Sequence, residues 1–200
     1  MIRLCIFDMG GVYVTNHDTA GKIAEFIGLD GVHSYSGLEA VLGKSLSDYT
    51  RGLISEDELW RIFTEKTGKS VDNNPSIFGR FFAPIINPET DKVIRELKAD
   101  GMRVVCGTNV VDVHYDYHNA HSQYAIFDKV YPSHLMHIDK PDPEFFRYIA
   151  EAEHVSPEEC FFTDDSKANA DSARSIGMRS YQFTDAVSLR ENLVKEGVLV

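Results

Sequence analysis

Five short apolar runs are spread along the chain, and most are separated by segments whose apolar residues recur at helical spacing. Short apolar runs predict strands, and alternating strands and helices are typical of βαβ units with a parallel sheet. The predicted strands are Ile2–Phe7, Arg103–Gly107, Lys129–Tyr131, Cys160–Thr163 and Arg179–Phe183. The predicted helices between and after them are Pro88–Asp100, Asp142–Glu153, Asp171–Ser175 and Ala186–Glu196. The pattern therefore predicts an α/β fold, with a Rossmann-like parallel sheet covered by helices on both faces.

One long region interrupts this alternation. Between about Asn16 and Asn87 no run reads as a strand, and the pattern predicts only helices, at Thr19–Ile27, Leu46–Gly52, Glu56–Thr67 and Pro75–Ile85. We expect a core domain of residues 1–14 and 88–200, with a small helical cap of residues 15–87 inserted after the first strand. We expect the aromatic residues of the cap to pack the cap and its junction with the core; they are Trp60, Phe63, Phe78, Phe81 and Phe82.

Composition and charge argue against some classes of binding partner. The formal net charge is −11 and no basic cluster occurs, which argues against binding nucleic acid or an anionic membrane. No apolar run approaches the roughly 18 residues of a membrane span. Cys5, Cys106 and Cys160 lie in or beside apolar runs without zinc-site spacing, as expected for buried thiols in a reducing cytoplasm. We expect a cytoplasmic protein, as a monomer or homodimer.

Polar residues follow the ends of the first two long strands. Asp8 comes directly after the first strand, and Gly10 and Gly11 then allow a sharp turn. Thr108 and Asn109 follow the strand at residues 103–107 and offer groups that suit phosphate oxygens. Open parallel sheets bind ligands at this carboxyl edge. Each motif by itself is also explained by a helix N-cap with a turn.

Two later motifs add charge to the same predicted edge. Lys140 precedes Pro141, and its ammonium could pair with both a carboxylate and a phosphate. Asp164 and Asp165 are adjacent carboxylates after a strongly apolar strand, where a cation such as Mg²⁺ would relieve their repulsion. Asn169 lies four residues beyond Asp165, and we expect it to orient that carboxylate from the next turn. Alone, a surface Lys or a pair of loop acids is unremarkable, but the four motifs together are specific.

These motifs resemble those of the haloacid dehalogenase superfamily of phosphohydrolases, over about residues 1–14 and 88–185. By this resemblance Asp8 is the nucleophile, Thr108 is the hydroxyl of the second motif, and Lys140 is the basic residue of the third motif. From its residue type we also expect Asn109 to bind phosphate. The resemblance further implies that Asp8, the Gly10 carbonyl and Asp165 bind Mg²⁺, with Asp164 and Asn169 in support. The helical insertion resembles the small helical cap of that family.

One position departs from the usual pattern of the family. Most phosphatases of the family have a second Asp where this chain has Gly10, and that Asp serves as general acid and base. The chain is thus similar to a subset with Asp-x-Gly-Gly or Asp-x-Gly-Asn, which includes enzymes like glucose-1-phosphatases and the phosphatase domain of epoxide hydrolases. His17, His114, His118 and His121 are candidate substitutes by residue type, although we expect each to be a surface or structural histidine.

The function expected from this resemblance is Mg²⁺-dependent hydrolysis of a small phosphorylated metabolite, such as a sugar phosphate, through an aspartyl-phosphate. Two alternatives remain open. A metal-independent haloacid dehalogenase also lacks the second Asp, but it would leave the Asp164–Asp165 pair unexplained. A catalytically weak member that binds a ligand or partner protein would explain Gly10, but it has little use for the complete set of motifs.

Overall fold

The structure is a computed structural model that describes residues 1–200. In chain order its strands are β1 (Leu4–Phe7), β2 (Val14–Thr15), β3 (Ile85–Ile86), β4 (Arg103–Thr108), β5 (Lys129–Pro132), β6 (Cys160–Asp164) and β7 (Arg179–Gln182). Its helices are α1 (Ala20–Phe26), α2 (Tyr35–Leu42), α3 (Lys44–Thr50), α4 (Glu56–Thr67), α5 (Ile77–Arg80), α6 (Pro88–Ala99), α7 (Asp112–Ala120), α8 (Ser133–Met136), α9 (Pro143–Ala152), α10 (Lys167–Ser175) and α11 (Ala186–Lys195). No helix is both long and apolar enough to span a membrane.

The five predicted strands form one parallel sheet in the order β5-β4-β1-β6-β7. The first strand of the chain is therefore central, between β4 and β6. In its register Phe7 is opposite Cys106 on one side and Thr163 on the other. The carboxyl ends of these three strands consequently lie side by side.

Both faces of the sheet are covered, as predicted. In β1, Cys5 and Phe7 point to one face and pack in a cluster that includes residues of α6 and α11. Leu4 and Ile6 point to the other face and pack with residues of α9 and α10. All four side chains are almost completely buried, which explains why this strand is a continuous apolar run rather than an alternating one. The Rossmann-like α/β fold class is confirmed.

In chain order, helices α1 to α5 come between β2 and β3, which pair with each other as a separate antiparallel ribbon. These five helices are here called the inserted helices. In that ribbon Val14 pairs with Ile86 and Thr15 pairs with Ile85. The inserted helices share a hydrophobic cluster in which Leu38, Leu59 and Ile77 are fully buried. Their packing against one another provides the stability that such short helices lack in isolation.

The sequence pattern missed several of these elements. The predicted helix Pro75–Ile85 is a single helical turn, α5, and its end is replaced by strand β3. Helices α2 and α7 were not predicted. In α7 only His118 is buried, so the helix lacks the apolar stripe that a pattern search detects. The two-residue strands β2 and β3 are too short for any periodicity, and their pairing is a long-range contact.

Candidate functional site

The carboxyl ends of β1, β4 and β6 form the polar floor of a cavity. Asp8 directly follows β1, Thr108 is the last residue of β4, and Asp164 is the last residue of β6. All three residues are buried, at 8%, 3% and 0% exposure. The parallel pairing of the strands thus brings together side chains that are about 100 and 56 residues apart, as expected for an open parallel sheet.

Lys140 enters this floor from the loop between α8 and α9. Its Nζ donates to Asp8 Oδ1 and to Asp164 Oδ2, both at 2.6 Å, and to the carbonyl oxygen of Gly107 at 3.0 Å. The three protons of the ammonium therefore each have a partner, although its side chain is only 1% exposed. Removing one member of such a group leaves an uncompensated buried charge.

The carboxylates of the floor outnumber its cations. Oxygen atoms of Asp8, Asp164 and Asp165 lie within 4.8 Å of one another, and Lys140 is the one ammonium among them. Burial raises the pKa of Asp8, and Asp164 adds to this rise while Lys140 opposes it. Burial and the charge of Asp164 also raise the pKa of Asp165. For Lys140, burial alone would lower the pKa, but Asp164 and Asp8 raise it above its ordinary value.

This cluster fits a hard divalent cation. Three carboxylates supply the oxygen ligands that Mg²⁺ prefers, and a cation would compensate the excess negative charge. The donor set contains no thiolate or imidazole in the same group, so softer metals are not favoured. The cluster includes Asp164 beside the two predicted carboxylate ligands, Asp8 and Asp165. The predicted contribution of the Gly10 carbonyl stays a prediction.

Both asparagines bond to groups of the protein, and the predicted phosphate contact of Asn109, which lines the cavity, stays a prediction. Asn169 Nδ2 donates to Asp164 Oδ1 at 3.0 Å, so the expectation that Asn169 orients Asp165 is wrong. Helix α10 begins at Lys167, which turns Asn169 back toward the end of β6. Asn109 exchanges two hydrogen bonds of 2.8 Å with the backbone of Lys140, through both its Nδ2 and its Oδ1. Its amide therefore holds the Lys140 loop, while Thr108 Oγ1 has no hydrogen bond within the protein and lines the cavity.

The two glycines after Asp8 are constrained by different neighbours. Gly11 has a positive φ of 74°, and a Cβ there would lie 2.2 Å from Asp165 Oδ2. Only glycine permits this conformation and this close approach of Asp165. A Cβ on Gly10 would instead lie 2.7 Å from Cδ2 of His17. The imidazole of His17 accepts a hydrogen bond from the Gly11 N–H through Nδ1 at 3.1 Å. His17 thus occupies the space into which a side chain at position 10 would project.

A cavity of about 460 Å³ opens above the floor, within the usual range for small-molecule sites. Its other walls come from the inserted helices and from the segment after β4. Phe78 and Phe82 line it, and both are buried: Phe78 packs in the cluster of the inserted helices and Phe82 stacks on His114. The expectation that they pack the inserted helices and their junction is confirmed, and their contact with a substrate is not tested. Trp60 and Phe63 are buried in the cluster of the inserted helices, as expected.

Three of the four candidate histidines line the cavity, which sequence pattern did not reveal. His114 and His118 lie on α7 beside His17, whereas His121 is exposed and stacks on Tyr117. Burial lowers the pKa of His114 and of His118 to about 4, so both rings are neutral near pH 7. His114 Nε2 lies 3.0 Å from the carbonyl oxygen of Phe78 and therefore carries a proton.

Comparison with known proteins agrees with this architecture. Residues 2–177 match the family model of the haloacid dehalogenase-like hydrolases. The chain is 26% identical over 192 residues to the sesquiterpene phosphatase astK of Aspergillus oryzae, spanning 93% of this chain and 92% of the relative. It is 23% identical over 201 residues to a D-ribitol-5-phosphate phosphatase of Bacteroides thetaiotaomicron, spanning 96% and 97%.

A solved structure is also similar over most of the chain. It is a haloacid dehalogenase family enzyme of Bacteroides thetaiotaomicron in complex with magnesium and inorganic phosphate. The TM-score is 0.70 at 25% identity, covering 92% of this chain and 94% of that one. This chain therefore belongs to the haloacid dehalogenase-like hydrolases, and the predicted family and enzyme class are confirmed.

Proposed function

We propose that this protein is a Mg²⁺-dependent phosphohydrolase that cleaves a small phosphate monoester through an aspartyl-phosphate on Asp8. The observation that carries this proposal is the buried group formed by Asp8, Lys140 and Asp164 on the floor of a ligand-sized cavity. The two full-length relatives are named as phosphatases, and the similar solved structure holds magnesium and phosphate. These similarities support the same chemistry here.

In the proposed reaction, an oxygen of the Asp8 carboxylate attacks the phosphorus of the ester. The bond between phosphorus and the alcohol oxygen breaks, and that oxygen leaves as an alkoxide that takes a proton from solvent water, since Gly10 offers no acid at the usual position. Water then attacks the phosphorus of the aspartyl-phosphate, which releases inorganic phosphate and regenerates the carboxylate. Lys140 orients Asp8 and stabilises the charge that moves onto the phosphoryl oxygens, and Thr108 offers its unpaired hydroxyl to one of them.

Asp8, Asp165 and the carbonyl of Gly10 would hold Mg²⁺, which supplies charge neutralisation and alignment of the phosphoryl group when bound. Asp164 and Asn169 support this group: Asn169 and the Ser166 N–H donate to Asp164 Oδ1, and Lys140 donates to Oδ2. The carboxylate of Asp164 is consequently fixed. The three neighbouring carboxylates also favour a Mg²⁺-dependent phosphohydrolase over a metal-independent dehalogenase. A dehalogenase would need Asp8 as its nucleophile but would have no use for Asp164 and Asp165 as a metal site.

We further propose that residues 15–87 act as a cap over a core of residues 1–14 and 88–200. The inserted helices supply one wall of the cavity, so they would exclude water from the phosphoryl group when a substrate is bound.

The test is release of inorganic phosphate from a panel of small phosphate esters, with Mg²⁺ and with a chelator. We expect turnover that requires Mg²⁺, and we expect Asp8→Asn to lose at least about three orders of magnitude in kcat, because the amide is a poor nucleophile. Asp18→Asn is a matched control, since Asp18 also lines the cavity but has no contact with Lys140. If the Asp8→Asn variant retained turnover close to that of the wild type, Asp8 would not be the nucleophile. Release that is insensitive to the chelator would disprove the metal requirement.

A further inference from the structure

The end of the cavity that lies away from Asp8 is lined mainly by apolar side chains. They come from four of the inserted helices, from the segment between α5 and β3, and from the segment that follows β4. The six are Ile23, Leu38, Leu46, Phe78, Phe82 and Val111. A surface of this kind gains free energy by covering apolar substrate surface, at about 25 cal/mol for each Å² removed from water.

The same cavity has no spare positive charge. Lys140 is the one Lys or Arg that lines it, and all three protons of its ammonium are already donated on the floor. The carboxylate of Asp18 adds a negative charge to the lining. A substrate with a second phosphate or a carboxylate remote from the reacting phosphoryl group would therefore find no partner for that charge.

Several polar groups of the upper walls are engaged within the protein, whereas Thr19 Oγ1, His17 Nε2 and His118 Nε2, which belong to lining residues, have no hydrogen bond. Thr50 Oγ1 lies 3.0 Å from the Leu46 carbonyl oxygen, to which it donates, and 3.3 Å from the hydroxyl of Tyr35. His114 is bonded to the Phe78 carbonyl and stacks on Phe82, with ring centroids 3.6 Å apart. His118 Nδ1 lies 2.6 Å from Gln123 Oε1. The several hydroxyls of a sugar or polyol would lose their water partners here and gain few replacements.

A buried carboxylate fixes the wall that carries Phe78. Glu56 Oε1 accepts hydrogen bonds of 3.0 Å from the backbone N–H groups of Ile77 and Phe78 and from Trp60 Nε1. The hydroxyl of Ser76 donates to Glu56 Oε2 at 2.6 Å. The start of α5 is thereby tied to α4, so the apolar wall is already formed without a ligand.

From these observations we propose that the substrate is the monophosphate ester of an apolar alcohol, with its hydrocarbon part between the inserted helices and its phosphate on the floor. This inference rests on the proposed phosphohydrolase function and specifies the leaving group. The proposed substrate differs from the sugar phosphate that the family resemblance gave as an example.

The test compares esters with Mg²⁺ present. Methyl, hexyl, decyl and farnesyl monophosphates form the apolar series, and ribitol 5-phosphate and glucose 6-phosphate are the hydroxylated comparison. We expect kcat/KM to rise by about fourfold for each added methylene that is buried, until the hydrocarbon fills the cavity. We expect both hydroxylated esters to fall at least about tenfold below decyl phosphate. A ribitol or glucose ester that equals or exceeds decyl phosphate would overturn the inference and leave the phosphohydrolase proposal intact.

A pair of variants tests where in the cavity the hydrocarbon part of the substrate binds. Ala20 lines the cavity and is buried on α1, whereas Lys22 is exposed on the same helix. Ala20→Leu adds apolar volume inside the cavity, so the ratio of kcat/KM for decyl phosphate to that for methyl phosphate should fall at least about tenfold. Lys22→Leu should leave that ratio unchanged. Equal ratios in the two variants would contradict the proposed position of the hydrocarbon.

Binding separates failure of the substrate inference from failure of the proposed function. Calorimetric titration of the Asp8→Asn variant with decyl phosphate and with ribitol 5-phosphate, with Mg²⁺ present, measures affinity without turnover. Tighter binding of decyl phosphate supports the apolar class even if wild-type protein releases no phosphate from any ester, a result that would reject the phosphohydrolase proposal. Equal or weaker binding of decyl phosphate overturns the apolar class.

Discussion

The floor and the upper walls of the cavity are built on opposite principles. The floor has three carboxylates and one ammonium at the ends of parallel strands, and its shape is fixed by charge and hydrogen bonds. The upper walls come mainly from short helices that bury apolar side chains in a cluster of their own. Charge at the sheet edge suits a reaction that moves a phosphoryl group, whereas an apolar wall can distinguish leaving groups only by size and polarity. Under the proposed function, the chemistry belongs to the floor and the specificity belongs to the upper walls, which are separable parts of this chain.

The largest expected effect tests the floor. Lys140→Met should lower the free energy of unfolding by about 3–5 kcal/mol, because Asp8 and Asp164 would lose their shared cation while staying buried. Urea denaturation without Mg²⁺ measures this. The matched control is Lys92→Met, which breaks an exposed ion pair with Glu89 and should cost at most about 1 kcal/mol. If the two substitutions cost the same, the floor does not depend on charge compensation as described.

An intermediate effect tests the side of the cavity formed by α7. The pKa of His114 and His118 is lowered by burial from 6.5 to about 4 in the folded state. Between these values the unfolded chain binds more protons than the folded one, so stability falls as the pH drops from 6.5 toward 4. Each histidine contributes at most about 3 kcal/mol to this loss.

The measurement is urea denaturation at pH 7 and pH 5 for the wild type, His118→Gln and His121→Gln. The loss of stability between the two pH values should shrink in His118→Gln, which removes a buried imidazole. It should persist in His121→Gln, because His121 is exposed. An unchanged pH dependence in His118→Gln would show that this imidazole is solvated.

The smallest expected effect concerns the junction between floor and walls, where His17 lies over Gly10. Gly10→Asp should destabilise the protein by about 1–3 kcal/mol, since its Cβ would meet the ring of His17 and that ring is held by the Gly11 N–H. The double variant Gly10→Asp with His17→Ala should recover most of this loss. A double-mutant cycle with no coupling between the two positions would refute the steric account.

Much of the core could be predicted from the sequence. The strands are recognisable because β1, β4 and β6 are buried on both faces and must be continuously apolar. Asp8, Thr108 and Asp164 could be assigned to one edge because the carboxyl ends of parallel strands always meet there. The insertion was less predictable. Helix α2 was missed although Leu38 and Leu42 are buried on it, and the β2–β3 ribbon joins residues about 70 positions apart. In the core, helix α7 was missed because His118 is its one buried residue.

The sequence by itself determined the five strands of the core sheet and the residue types that meet at its edge, because local periodicity and strand direction are sufficient for both. Only the tertiary structure decided which groups touch. It directed Asn169 to Asp164, used the amide of Asn109 to hold the Lys140 loop, and brought Phe78 and Phe82 to the cavity. It also placed His17 in the space above Gly10. Such contacts depend on how helices and loops pack across long sequence separations, and no local pattern records that packing.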